Sequence, residues 1–234
     1  MKKRGIQYLE KSKTRDSIKL YNPTEAIKLM KEMKFAKFDE TVEVHFRLGI
    51  NPRHAEEQLR GTLVLPHGSG KKVVVAVIAE GEAILEAKEA GADFVGGDDL
   101  IEKIQSGWFD FDILVATPNV MSKVGRLGKL LGGKGLMPNP KSGTVTPNIA
   151  KAVQDFKAGK INYRNDKTGI LHVLFGKMSF TEDQLKDNFE TIYSTIEKVK
   201  PSKSKGVYLK SISISSTMGP GIFVEPQKLK WKES

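Results

Sequence analysis

The strand patterning of this chain changes character twice, near residues 67 and 159, and that double switch limits the folds open to it more than any other feature. Before the first switch, Thr41–Leu48 alternates cleanly. Val42, Val44, Phe46 and Leu48 share one face; Thr41, Glu43, His45 and Arg47 share the other. A period of two describes an antiparallel strand with one face on a core and one face open. Gly61–Leu65 reads as a second strand, closed by the turn-rich Pro66-His67-Gly68-Ser69-Gly70. Ahead of both, Asn22 caps and Pro23 opens a helix whose stripe is Ala26, Ile27, Met30 and Met33.

Val73–Ala79 is apolar without a break, as in a strand buried on both faces of a parallel sheet. Strand and helix then alternate: helix Glu82–Ala90, strand Asp93–Val95, helix Asp98–Ser106, strand Asp112–Ala116 and a helix from Pro118 to about Leu131. A long Gly/Pro/Lys loop, Gly132 to Pro147, precedes helix Asn148–Ala158, which Gly159 stops. That alternation predicts an α/β unit with a mostly parallel sheet. Beyond Gly159 the antiparallel style returns. Ile161–Tyr163 and Ile170–Leu174 flank the turn Arg164–Gly169, Thr181–Lys198 is an amphipathic helix, and Lys198–Lys205 is a basic connector. In the last strand, Val207–Thr217, Ile212 and Ile214 alternate with Ser211, Ser213 and Ser215. The expected fold class is α/β (α+β) in two domains. Residues 1–66 plus 160–234 form a split antiparallel-sheet-plus-helices domain, and 67–159 form an inserted α/β domain. Hinges are expected near 66–70 (Pro66, His67, Gly68) and 158–160 (Gly159).

The charge follows the same division. The chain carries +10; residues 1–66 and 160–234 hold +5 each and the middle is neutral. A basic balance of this size points to a polyanionic partner. Within the middle, 67–122 is acidic (−6) and 123–159 basic (+6), which suits either a functional edge or a solvated helix face. No cysteine is present, so disulfides, zinc ribbons, iron–sulfur clusters and thiol nucleophiles are excluded. No apolar run is long enough to span a bilayer or to follow the basic N-terminus as a secretory signal, so a cytoplasmic protein without a membrane partner is expected.

Catalytic constellations are missing. Gly128–Lys134 matches the first seven positions of a phosphate-binding P-loop, but Gly135 stands where Ser or Thr must reach Mg²⁺. Gly68–Lys72 precedes a strand, whereas the dinucleotide fingerprint follows one. His45, His54, His67 and His172 lack metal-ligand spacing. Neither an enzyme nor a metal or cofactor site is expected.

Several motifs together resemble one family. They are Lys37–Val44, Arg60-Gly61-Thr62, Leu65–Gly68, Gly91-Ala92-Asp93, Val95-Gly96-Gly97, Asp110-Phe111-Asp112, Gly135–Val145, Arg164–Gly169 and Ser216–Pro220. In that order, from about residue 20 to 225, the chain is similar to the bacterial-type family of large-subunit ribosomal protein one, the mobile stalk protein beside the tRNA exit site. The resemblance implies a main RNA-binding domain built from both termini and an inserted Rossmann-like domain. It also implies binding to a large-subunit rRNA junction, contact with exit-site tRNA, and repression of the protein's own operon mRNA. A monomer is expected off the ribosome, and a cytoplasmic, ribosomal location on it.

The rRNA contacts expected in the first domain are Lys37, Phe38, Thr41, Glu43, Arg47, Arg164, Asn165, Asp166, Lys167, Thr168, His172, Ser211, Ser213, Ser215, Thr217, Met218 and Gly219. RNA folds are read through shape, 2′-hydroxyls and phosphates, which suits short hydroxyls, close backbone and a few cations. The two polar strand faces supply this if they lie side by side. Read by themselves, Phe38 also fits a core, Asp166-Lys167 a turn salt bridge, and Gly219-Pro220 a tight turn. In the second domain Arg126, Lys129, Lys134 and Lys141, with Lys123, form an edge for a secondary phosphate contact.

Overall fold

The structure, a computed structural model, describes residues 5–54, 56–202, 204 and 206–226. The basic N-terminus Met1–Arg4, the tail Lys228–Lys232, and Lys203 and Lys205 of the connector lie outside the described residues. By its internal contacts the chain divides into two units, Met1–Gly70 with Tyr163–Ser234, and Lys71–Asn162. Each crossing falls a few residues beyond the switch in patterning. At the first, the buried Asn188 takes the His67 N–H at 3.1 Å and gives its own N–H to the Gly68 carbonyl at 3.0 Å. Those bonds keep the turn with the first unit.

In chain order the first unit starts with α1 (Ile6–Ser12), α2 (Pro23–Glu32), β1 (Thr41–Leu48) and β2 (Arg60–Val64). The intervening unit holds β3 (Val75–Ile78), α3 (Glu82–Glu89), β4 (Phe94–Gly96), α4 (Asp98–Gln105), β5 (Ile113–Ala116), α5 (Met121–Val124), α6 (Gly128–Lys134) and α7 (Ile149–Lys157). A strand at the second crossing, β6 (Lys160–Arg164), pairs with β2. The first unit then completes itself with β7 (Ile170–Lys177), α8 (Glu182–Lys198), β8 (Leu209–Ser216) and β9 (Ile222–Val224).

The first unit is built on an antiparallel sheet in the order β7-β1-β8-β9. Period-two patterning sends Val42, Val44, Phe46, Leu48, Leu171, Val173, Phe175, Ile212, Ile214, Ile222 and Val224 to one face, and all are buried. Two amphipathic helices pack with that sheet: α2 through Ala26, Ile27 and Met30, α8 through Leu185, Phe189, Ile192 and Ile196. Their starts are fixed by side chains that satisfy helical N–H groups left without partners in the first turn. Asn22 accepts from the Thr24 N–H at 3.1 Å, and Thr181 with Gln184 forms a reciprocal capping box. Helix α1 and strand β9 carry little sequence signal. The first buries no residue and the second is three residues long.

In the intervening unit the parallel sheet runs β4-β3-β5. All four residues of β3 are buried, because helices cover both faces. Ala76 and Ile78 face a core with Leu100, Ile104, Val124, Leu127 and Leu131; Val75 and Val77 face another with Ala87, Ile149, Val153 and Phe156. One expectation is corrected here. The helical run from Pro118 does not give way to a loop at Gly132: it breaks into short α and 3₁₀ pieces, and α6 continues to Lys134. Gly135 ends it in the left-handed conformation (φ 74°), which a residue with a Cβ adopts only at a cost. Beyond it the Gly135–Val145 segment is ordered by its own bonds. Asn139 caps a 3₁₀ turn, Thr144 Oγ1 accepts the Asn139 N–H at 2.8 Å, and Val145 bridges to Ala116 at the open edge of β5.

Candidate nucleic-acid interface

The strands β1 and β8 lie side by side, so the two polar stripes read from the sequence form one surface. Across it Glu43 faces Ser215, His45 faces Ser213, and Arg47 faces Ser211. On the other side of β1, His45 faces His172 of β7, and beyond β8 the half-exposed Phe223 of β9 faces Ser213. The helices cover the opposite face of this sheet.

Hydrogen bonds hold the surface groups in place. The Nδ1 atoms of His45 and His172 are 2.8 Å apart, so one ring donates its proton to the other. His45 Nε2 reaches Ser215 Oγ at 3.1 Å, and His172 Nε2 lies 3.9 Å from the Asp166 carboxylate. Burial, then the neighbouring His172, holds the His45 pKa below its ordinary value, against an opposing pull from Glu43. Lys177 donates to Thr41 Oγ1 at 2.8 Å.

Two irregular segments flank β1 at opposite ends, about 23 Å apart at roughly 3.3 Å per residue. At the Leu48 end is the turn Arg164–Gly169, where the Leu48 N–H donates to the Gly169 carbonyl. Asp166 accepts from the Thr168 N–H and hydroxyl and from the Ile170 N–H. The Thr168 hydroxyl bond is the largest cause of its lowered pKa, with burial opposing. Asp166 therefore closes its own turn, and no ion pair with Lys167 is found among the described residues. Asn165 is buried: it accepts from the Leu59 N–H at 2.7 Å and donates to the Asp166 carbonyl at 2.8 Å. The structure thus gives Asn165 a turn-holding role, while Arg164, Lys167 and Thr168 stand exposed.

At the Thr41 end lies Thr217-Met218-Gly219. The Thr217 hydroxyl donates to the Thr41 carbonyl at 3.2 Å and accepts the Thr41 N–H at 3.1 Å, so it offers a ligand an acceptor lone pair rather than a proton. Met218 is half exposed. Phe38 is 52% exposed, which rules out the core reading for it, and Lys37 beside it is exposed too.

The sequence reading missed Lys177, Glu40 and Ser216. The expected strand stopped at residue 174, short of Lys177. Glu40 and Ser216 are buried polar residues in phase with the apolar stripes of Val42–Leu48 and Ile212–Ile214, and that phase was the available signal.

In the intervening unit Arg126, Lys129, Lys134 and Lys141 are all exposed. Arg126 and Lys129 stand one helical turn apart, and Lys134 lies over the Phe109 ring at 4.1 Å. Lys123 does not join them: its ammonium bonds Glu80 and Asp98, both at 2.8 Å. The segment with P-loop spacing is helix α6, whose backbone N–H groups bond along the helix rather than cradle an anion. Among the described residues no group of three His, Asp or Glu side chains is placed to hold a metal ion, and no helix is long and apolar enough to cross a membrane. A family model described as "Ribosomal protein L1p/L10e family" matches residues 30–220.

Proposed function

We propose, from the premise that this chain belongs to the ribosomal protein L1p/L10e family, that the open face of the β7-β1-β8-β9 sheet is its rRNA-binding platform. Members of the family are structural, RNA-binding constituents of the large ribosomal subunit in the cytoplasm, and are not enzymes. One observation carries the platform: the register that sets Glu43, His45 and Arg47 against Ser215, Ser213 and Ser211 on the face opposite the α2 and α8 packing.

Such a surface matches RNA chemistry. Serine and threonine oxygens exchange hydrogen bonds with 2′-hydroxyls, and Glu43 accepts from one. Arg47, Lys177, Lys37, Arg164 and Lys167 meet phosphates. Thr168 and Thr217 mark the two ends, and Phe38 and Met218 offer apolar surface to a sugar or base. Since its lone proton goes to Thr41, Thr217 takes the acceptor role toward the RNA.

The split unit is the main rRNA-binding domain and the intervening unit is a Rossmann-like insert, with its hinges near 66–70 and 158–160. Arg126, Lys129, Lys134 and Lys141 make a secondary phosphate contact. The RNA is the stalk junction near the tRNA exit site; the protein is a monomer off the ribosome, assists release of deacylated tRNA, and represses its own operon mRNA through a copy of the rRNA fold. These last steps rest on the family resemblance.

The test is a titration against the stalk-junction RNA and an unrelated duplex at several salt concentrations. The platform requires the junction to win by orders of magnitude and Thr217→Ala to remove most of that preference. Equal binding of both RNAs with a steep salt slope would leave only non-specific electrostatics and sink the reading.

A further inference from the structure

Glu40 is fully buried, yet it sits one residue before the platform strand and its side chain points its bonds at the platform's end. Its Oε1 accepts the Met218 N–H at 2.8 Å and the Ser216 hydroxyl at 3.1 Å. Ser216, itself buried, takes the Gly219 N–H on the same oxygen at 3.2 Å, sharing it with its own carbonyl at 3.2 Å. The Glu40 carbonyl accepts from the Met178 N–H at 2.9 Å, which ties this point to the end of β7. One carboxylate oxygen thus gathers the backbone of 216–219 directly or through one hydroxyl.

The glycine belongs to the same device. A Cβ on Gly219 would lie 2.5 Å from Ser216 Oγ, so any side chain there must displace the hydroxyl that Glu40 holds. The remaining oxygen, Glu40 Oε2, is buried and has no hydrogen-bond partner among the described residues. A carboxylate in that setting is a poor stabiliser of a fold, since a well-packed apolar side chain avoids the desolvation penalty. What it gains in return is the shape of one loop.

We infer that Glu40, acting through Ser216, is the positioning residue that fixes Thr217-Met218-Gly219 in the conformation that meets RNA. The inference rests on the platform reading above for its RNA half alone. The geometry of the lock is independent of which RNA binds.

Two variants test it. Glu40→Met keeps the shape and removes both acceptor bonds; Glu40→Gln keeps an acceptor at Oε1. Three readouts are taken on the full chain: thermal midpoint, amide hydrogen exchange at Met218 and Gly219, and the ratio of affinities for the stalk-junction RNA and an unrelated duplex. Glu40→Met is expected to leave the midpoint little changed, the relief of a buried carboxyl offsetting the Ser216 hydroxyl and Met218 N–H left without their acceptor, to speed exchange, most at Met218, and to lower the ratio about tenfold or more, the loss anticipated for two hydrogen bonds. Glu40→Gln is expected to restore slow exchange and most of the ratio. Wild-type exchange and ratio in Glu40→Met would overturn the inference. So would parallel loss of stability and ratio in both variants, which marks a residue needed only for folding. If the wild-type chain itself shows no preference for the junction, the platform reading fails, and exchange at Met218 and Gly219 still decides the lock: faster exchange in Glu40→Met upholds it, unchanged exchange overturns it.

Discussion

In the first unit the surface groups are tied to one another: His45 bonds Ser215 and His172, Thr217 clasps the Thr41 backbone, and Asp166 closes its own turn. In the intervening unit Arg126, Lys129 and Lys141 stand exposed on short helical pieces, and none makes an ion pair among the described residues. Groups held in fixed register discriminate shape, because a ligand that mismatches leaves them unpaired. Free cations on long stems follow any polyanion at similar affinity. On the proposed reading, selection of the RNA falls to the sheet and added attraction to the helical edge.

The largest effect that separates the units is on stability. Phe156 is fully buried in the core beneath α7, and Phe156→Ala is expected to destabilise by about 3–5 kcal/mol, as large-to-small core changes do. Calorimetry should show that loss in a separate, earlier transition while RNA preference at low temperature persists. Loss of preference with it would break the division of labour.

A smaller effect sharpens it. Replacing Arg126 and Lys129 together by Gln should weaken binding to the junction and to an unrelated duplex alike. The slope of log affinity against log salt should shrink by about 0.7–0.9 per phosphate contact removed. A change in the ratio of the two affinities would put selection on the helical edge after all.

The smallest effect comes from pH. The His45 pKa is depressed in the folded chain, so as pH falls the unfolded chain takes up the proton first. Stability is full above the ordinary value of 6.5 and declines as pH drops through it toward the folded value. Thermal midpoints from pH 7.5 to 5 should fall for the wild type and fall less for His45→Asn. His172 and Glu43 face the His45 ring and act on its value in opposite directions, Asp166 lies 3.9 Å from His172, and an equal slope in the variant would overturn the assignment to His45.

The elements that were legible in the sequence are those whose period is enforced by burial. Val42–Leu48 announces its two faces, Val75–Ile78 its burial on both, and α8 its stripe of Leu185, Phe189, Ile192 and Ile196. Helix α1 buries nothing and so leaves no periodic trace. The extension of α6 through Gly132 and Gly133 was hidden by composition, since those glycines argue locally against a helix that the packed Leu127 and Leu131 sustain. The site was legible only as stripes. Which strand lies beside which is set by pairing between distant segments, and no local pattern in Thr41–Leu48 says that Leu209–Ser216 will be its neighbour. Glu40 was hidden differently: a carboxylate before a strand reads as a solvated end until the core is seen to close over it.

The central place of β1 has a consequence for the order in which the molecule comes into being. His45 leaves the site of synthesis 127 residues before His172 and 170 before Ser215. All of Lys71–Asn162, by contrast, is one unbroken stretch, finished before either partner strand exists. Domains fold as units while the chain emerges, and pairings over long separations close late. The intervening unit is therefore ready first, and the β7-β1-β8-β9 surface proposed to select RNA closes only after Leu209–Ser216 has emerged. A product truncated before Leu209 carries the β1 stripe but never acquires the paired surface.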